Sequence, residues 1–416
     1  MKGPIPRISL LGNNSGRNLG DAAILASILD ILSDEIPEAE FYVPSTHPHF
    51  ITSNYGDKYN VKAVNVMPWT GSLRLLGIPT FYYLMRSDIA LICDGIIFGK
   101  KLFNPAFNFL ITLIFVVPWA RLCGTKMVCY SCGIGPFPSK ISEIFARWVM
   151  NGSDLVILRE NDSLALARKI GVTVPIEVTG DAAFLNKVSP EAKADEMLKE
   201  LSIPSNKPLL GVNITKYFDS WLEADERLSS REQFLDELAK GINEAVLALK
   251  EQSGEEIVPV VFSTQPMDEP TCHALANKIG AKVVDNSRYL SHDIQAMMRR
   301  CGLFIGMRFH SVVLAAAVET PLIALIYAPK VRGFMRQVDC EEYAIELAAL
   351  DANLLRDKIV SGWNNRESLR LKQKEIVDQL KSGARNAART VKKRYFSEAV
   401  SSPTERPRFS EESPTP

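Results

Sequence analysis

The chain has 416 residues, room for two or three domains of about 150 residues, with 46% hydrophobic and 23% charged residues, as in an ordinary globular protein. Its 48 Lys plus Arg balance 48 Asp plus Glu, which excludes the basic excess of a dedicated nucleic-acid binder. Any anionic substrate has to be met by a few placed cations. Seven scattered cysteines make no disulfide framework, and Cys129-x-x-Cys132 has no second Cys or His pair at ligand spacing. A reducing compartment and no bound metal are therefore expected.

Met1 to Leu11 lacks the apolar region of a signal peptide and holds one short strand, Ile8–Leu11. The loop Gly12–Gly20 follows, and Asp21 opens a helix with Ile24, Leu25, Ile28, Leu29 and Leu32 at helical spacing. Strands are predicted at 41–43, 62–66 and 89–93, the last ending in Asp94-Gly95. Residues 107–119 are almost wholly apolar, yet they span thirteen positions against the ~20 that a membrane-crossing helix needs. They predict a buried or interface-seeking helix. Strand 126–130 ends in Ser131–Pro136, strand 155–158 ends at Arg159, and a helix covers 162–170.

Pro190, the charged helix 191–201 and the Pro204–Pro208 stretch mark a boundary. Beyond it the pattern restarts, with strands at 209–214, 257–262, 282–284, 303–305 and 321–326 and helices at 231–250, 268–279, 291–300 and 310–318. Repeated strand, loop and helix units predict the α/β class with two Rossmann-like, doubly wound domains, 1–190 and 205–345, facing a cleft. Helices are predicted over 346–398, with 354–394 packing back across the domains or staying solvated. The Pro- and Ser-rich tail 399–416 is expected to be disordered.

Two places carry chemistry. Gly12, Gly16 and Gly20 are four apart, so they form neither a dinucleotide fingerprint nor a phosphate loop. Backbone N–H groups at such a helix start suit an anion or a hydroxyl-rich ligand, while capping by Asn18 or Asp21 is an equal reading. The second place is the strand Leu303–Ile305 and its turn at Gly306, which deliver Arg308 and His310 to a helix start. Arg308 supplies a planar permanent cation for a carboxylate or phosphate, and His310 a proton carrier near neutral pH. Tyr327-Ala328-Pro329-Lys330 brings a second cation to the same rim.

Five segments resemble, in order, motifs of the polysaccharide pyruvyl transferase family. Asn18-Leu19-Gly20-Asp21 resembles its N-L-G-D opening, Gly133-Ile134-Gly135-Pro136 its G-x-G-P strand end, and Arg159-Glu160-Asn161-Asp162-Ser163 its R-D/E-x-x-S. Thr179-Gly180-Asp181-Ala182-Ala183-Phe184 is similar to T-x-D-P-A-F, and Gly306–Gln337 to the R-L-H helix with its Y-D-x-K continuation. The match runs from about residue 8 to 340. It departs at Phe309 for Leu, Ala182 for Pro, Cys132 for Gln, Cys93–Ile97 for a triple-glycine strand end, and Ala328 for Asp. The last change removes a candidate general base.

The resemblance implies transfer of a pyruvyl group from phosphoenolpyruvate to two hydroxyls of a sugar in a polysaccharide or its precursor, forming a ketal. It implies the two-domain GT-B-like fold of many glycosyltransferases, with the acceptor on the N-terminal side and the donor on the C-terminal side. At matching positions Arg159, Arg308 and Lys330 would grip the donor and His310 would move the proton, making His310 and Arg308 the catalytic pair. Asn18, Gly20, Asp21, Gly133 and Tyr327 would complete the substrate site, with no metal or cofactor. The resemblance allows a lipid-linked oligosaccharide acceptor, a cytoplasmic protein loosely held at the inner membrane face, and a homo-oligomer. One alternative is a glycosyltransferase using a nucleotide sugar, with Glu319 holding its ribose. The other is a non-catalytic family member. Read as cleft residues, Arg308 and His310 are both expected to tolerate Ala without unfolding.

Overall fold

Long apolar runs dictate the two sheets that organise the computed structural model, which describes residues 3–216 and 230–397. The first domain contains β1 (Arg7–Leu11), β2 (Glu40–Ser45), β3 (Val61–Asn65), a small antiparallel hairpin of β4 (Ser72–Leu73) and β5 (Leu76–Gly77), then β6 (Ile89–Cys93), β7 (Lys126–Cys132), β8 (Leu155–Leu158) and β9 (Ile176–Val178). Apart from the hairpin these form one parallel sheet in the order β3-β2-β1-β6-β7-β8-β9. The second domain contains β10 (Leu209–Asn213), β11 (Val258–Ser263), β12 (Lys282–Asp285), β13 (Cys301–Gly306), β14 (Leu322–Ile326) and β15 (Ala344–Glu346). Its parallel sheet has the order β12-β11-β10-β13-β14-β15. Strands such as β6 and β14 are buried throughout, as expected when helices cover both faces of a parallel sheet. The doubly wound reading thus holds in both halves. The tail read as disordered from 399 lies outside the described residues.

Each sheet reverses its strand order beside its first strand, where β1 meets β6 and β10 meets β13. Crevices at the carboxyl ends of these strands are where doubly wound sheets bind ligands. The two crevices are closed on each other by a core that runs from one domain into the next. The ring of Phe184 lies 6.1 Å from that of Phe334, and Asn186 donates to Gln295 at 2.8 Å.

The helical end read over 346–398 consists of two long helices that pack back across the domains. Helix Ala352–Asn364 packs on helix Arg231–Ser253, and after Asn365 the chain turns into helix Arg366–Tyr395. Leu369, Gln373, Val377, Leu380, Ala384, Ala387 and Val391 form its buried stripe, spaced by three or four residues. It returns to the first domain, where the Leu380 carbonyl would lie 2.4 Å from a Cβ on Gly180. The apolar run read over 107–119 folds as helix Leu110–Leu122, with Leu113, Val116 and Val117 buried and Phe115 and Leu122 exposed. Buried Asn108 organises its start, donating to the carbonyls of Phe98 and Lys100 and accepting from Leu110 N–H. Among the described residues no helix is long and apolar enough to cross a membrane.

Candidate active site

The loop after β1 leads to Asn18, whose extended backbone and side chain cap helix Leu19–Glu35 by accepting from Gly20 N–H at 2.9 Å. Of the two caps read from the sequence, Asn18 is the one used. Leu19 N–H donates to the Thr264 carbonyl at 3.0 Å, so this helix start is pinned to the second domain. There it meets helix Phe309–Ala317, which begins after β13. A Cβ on Gly20 would lie 2.1 Å from His310 Nδ1, so only glycine lets the first turn abut the imidazole. Gly20→Ala should therefore displace His310 and reduce turnover about as far as removing the imidazole. Its loss of stability should be modest, because Ala favours the helix by about 1 kcal/mol over Gly. Steady-state kinetics paired with a melting curve checks this.

Arg308 sits at the helix start with its backbone N–H donating to Asn213 Oδ1 at 3.0 Å. Its guanidinium makes a two-pronged bond to fully buried Asp268, at 2.7 and 3.0 Å. Asp268 also accepts from the Thr215 hydroxyl at 3.1 Å and Lys216 N–H at 2.8 Å. This carboxylate holds the arginine's fork in one plane. Nothing in the sequence marked it, since an Asp opening a helix is an ordinary cap.

Behind His310 runs a second charged chain. His310 Nε2 is buried 3.6 Å from Asp181 Oδ2, just beyond hydrogen-bond distance. Arg159 donates to Asp181 at 2.9 Å and to Glu160 at 2.7 Å, and its guanidinium lies 4.4 Å from the centre of the Phe309 ring. A Cβ on Gly133 would fall 2.4 Å from Arg159 Nη2, which is why that strand end is glycine. Burial alone would lift the Asp181 carboxyl, but Arg159, then His310 and the Ala183 N–H, outweigh it and bring it down to about 2. For Arg159, burial is outweighed by the carboxylates of Glu160, Asp181 and Asp94, and its pKa rises. A depressed carboxyl stabilises the fold above its unfolded pKa of about 3.9, and that stability is lost as pH falls through the folded value. Asp181→Asn should thus remove part of the loss of melting temperature between about pH 4 and pH 2.

A third group lies on the first-domain side. Asp21 and Asp94 are both buried, Asp94 with a φ of +67° at the carboxyl end of β6. Asn13 donates to Asp21, and Gly95 N–H to Asp94 at 2.5 Å. Burial and the neighbouring Asp94 carboxyl push the Asp21 pKa well up, against Asn13 and the charge of Lys330. Asp94 replaces the glycine-rich strand end of the family pattern and was not singled out from the sequence.

Six of the nine residues read as site residues, Asn18, Gly20, Arg308, His310, Tyr327 and Lys330, line one cavity between the domains. Arg159, Gly133 and Asp21 do not reach its wall. Arg159, expected to touch the donor, instead lies behind Phe309 and His310 because its charge is taken up by Asp181 and Glu160. The cavity is about 60 Å³, the share of roughly two waters. Glu319 is not in the cleft. It precedes β14 while Tyr327 and Lys330 follow it, a strand's length of roughly 16 Å away. It pairs there with Lys374 and Arg370, which leaves the nucleotide-sugar reading without its ribose ligand. Among the described residues no cluster of three or more His, Cys, Asp or Glu side chains could hold a metal ion.

Comparison with known proteins bears on the fold and the family. Over 94% of its length the chain is similar to the Anabaena protein Alr3699/HepE, solved with UDP and glucose (TM-score 0.58, 14% identity, 99% of that chain). It is similar over the same share to UDP-GlcNAc 2-epimerase from Neisseria meningitidis (TM-score 0.56, 11% identity, 99% of that chain). These likenesses establish the GT-B-like fold. The amylovoran biosynthesis protein AmsJ of Erwinia amylovora is 23% identical over 409 residues, 90% of this chain and 96% of AmsJ. Residues 18–329, which run from the helix cap Asn18 to the residue before Lys330, match the description "Polysaccharide pyruvyl transferase", and the chain belongs to that family.

Proposed function

We propose that the protein transfers a pyruvyl group from phosphoenolpyruvate onto two hydroxyls of one sugar, forming a cyclic ketal and releasing phosphate. The observation that carries this reading is His310, backed by Asp181 and Arg159, on the same cavity wall as Arg308 and Lys330. Lys330 and the Asp268-oriented Arg308 would hold the donor's phosphate and carboxylate. His310, facing Asp181, would act as the acid that gives a proton to the methylene carbon and makes the central carbon electrophilic. One hydroxyl oxygen then bonds to that carbon, the carbon–phosphate oxygen bond breaks, and the second hydroxyl oxygen bonds in its place. Of the two hydroxyl protons, one restores His310 and the other leaves with phosphate. Arg159 acts as a positioning residue. None of these steps uses a metal or a cofactor.

Calorimetric titration with phosphoenolpyruvate, together with phosphate release in the presence of candidate sugars, tests the reading. Donor binding with acceptor-dependent phosphate release supports it. Binding of a nucleotide sugar with no response to phosphoenolpyruvate would replace it with glycosyl transfer. Donor binding without turnover on any acceptor would make the protein a binding member of its family.

A further inference from the structure

We infer that the outer face of the first domain is a docking surface for an anionic lipid bilayer, a property that does not depend on the reaction proposed above. Helices Ile78–Arg86, Leu110–Leu122 and Lys140–Asn151 lie side by side over one face of the first sheet. Their inner sides, with Leu84, Leu113 and Val149, build a core of their own. Their outer sides do not bury their apolar groups. Ile78 is 73% exposed, Phe115 56%, Leu122 83% and Trp148 60%, an unusual density of large apolar side chains on one face.

Between the second and third helices runs an apolar groove of about 630 Å³, with Pro118, Leu122, Ile144 and Trp148 along its walls. A Cβ on Gly152 would lie 2.6 Å from Val117 Cγ1, so the end of the third helix sits as close to the second as its backbone allows.

Charge identifies the occupant. Each helix also bears one exposed arginine, Arg86, Arg121 and Arg147. Among the described residues none of the three is paired with a carboxylate; Arg86 bonds the Tyr82 hydroxyl and Arg121 the Gly152 carbonyl. The acidic side chain on the third helix, Glu143, is tied to Lys140 at 2.7 Å. In a chain with zero net charge this is a local cationic, apolar face. A second copy docking about a two-fold axis would bring these arginines onto the same face, whose acidic side chain Glu143 is already tied to Lys140. Lipid headgroups supply a counter-charge, and the acyl region accepts the Trp, Phe and Leu side chains, as for other helices that lie in the interface. Helices of 9 to 13 residues lie on such a surface and do not span it.

The test is co-sedimentation of the full chain with vesicles of phosphatidylcholine alone or with about one third phosphatidylglycerol. The wild type should bind the anionic vesicles at least about tenfold more tightly, and less so as salt rises. Leu122→Glu with Trp148→Glu should abolish binding. Arg121→Ala with Arg147→Ala should weaken it about 25-fold, at roughly fivefold per cation. All four positions are exposed, so melting temperatures should match the wild type. No sedimentation with either vesicle, or equal binding by wild type and both variants, would overturn the proposal. So would a dimer, seen by analytical ultracentrifugation, that the Glu variant dissociates.

Discussion

His310→Ala is expected to lower turnover by about 10²–10⁴-fold, the range for a residue that moves a proton in the transition state. Affinity for phosphoenolpyruvate should change far less, because the imidazole's contribution is made mainly as the methylene carbon is protonated. The fold should survive. Asp181, which faces His310 at 3.6 Å, keeps its 2.9 Å bond to Arg159, so no buried carboxylate is left uncompensated. Isothermal titration for the donor, phosphate release for turnover and a melting curve separate the three effects. A large loss of donor affinity with unchanged turnover would move His310 from proton transfer to donor binding.

Arg308→Ala should behave differently from His310→Ala, and differently from what the sequence suggests. As a cleft residue it was expected to be removable without harm, yet its guanidinium compensates fully buried Asp268. Taking away one partner of a buried pair costs about 3–5 kcal/mol, a large share of the 5–15 kcal/mol that holds an ordinary domain folded. A fall in melting temperature is therefore expected together with lost donor binding. Pairing Arg308→Ala with Asp268→Asn distinguishes the two roles. The double variant should regain much of the stability, since the orphaned charge is gone. Its donor affinity should stay about ten- to several-hundred-fold down, the equivalent of a charge-assisted contact of roughly 1.5–3 kcal/mol. Recovery of donor binding in the double variant would assign Arg308 to structure alone.

The elements legible in the chain were those whose burial is one-dimensional. Strands β6, β13 and β14 are covered on both faces, so they appear as unbroken apolar runs that end in Asp94, Gly306 or Tyr327. Edge strands β9 and β15, three residues each, leave no such run and were not read. Helices Ile78–Arg86 and Lys140–Asn151 were not read either, although each separates apolar from polar groups at helical spacing.

The sequence by itself determined which residues stand at strand ends, because an apolar run followed by a glycine turn and a helix start is local information. That placed Asn18, Gly20, Arg308, His310 and Lys330 on the rims of two doubly wound sheets, and the order of five short motifs pointed to the family. Tertiary structure alone decided what each charge faces. Arg308 meets Asp268 forty positions away, Arg159 meets Asp181 behind the cavity wall, and Asp94 meets Asp21 across the β1–β6 crevice. The free energy of an ion pair depends on distance through space and on burial, and neither is a function of separation along the chain. For the same reason Glu319, near the site in sequence, lies at the far end of β14 and pairs with the C-terminal helix.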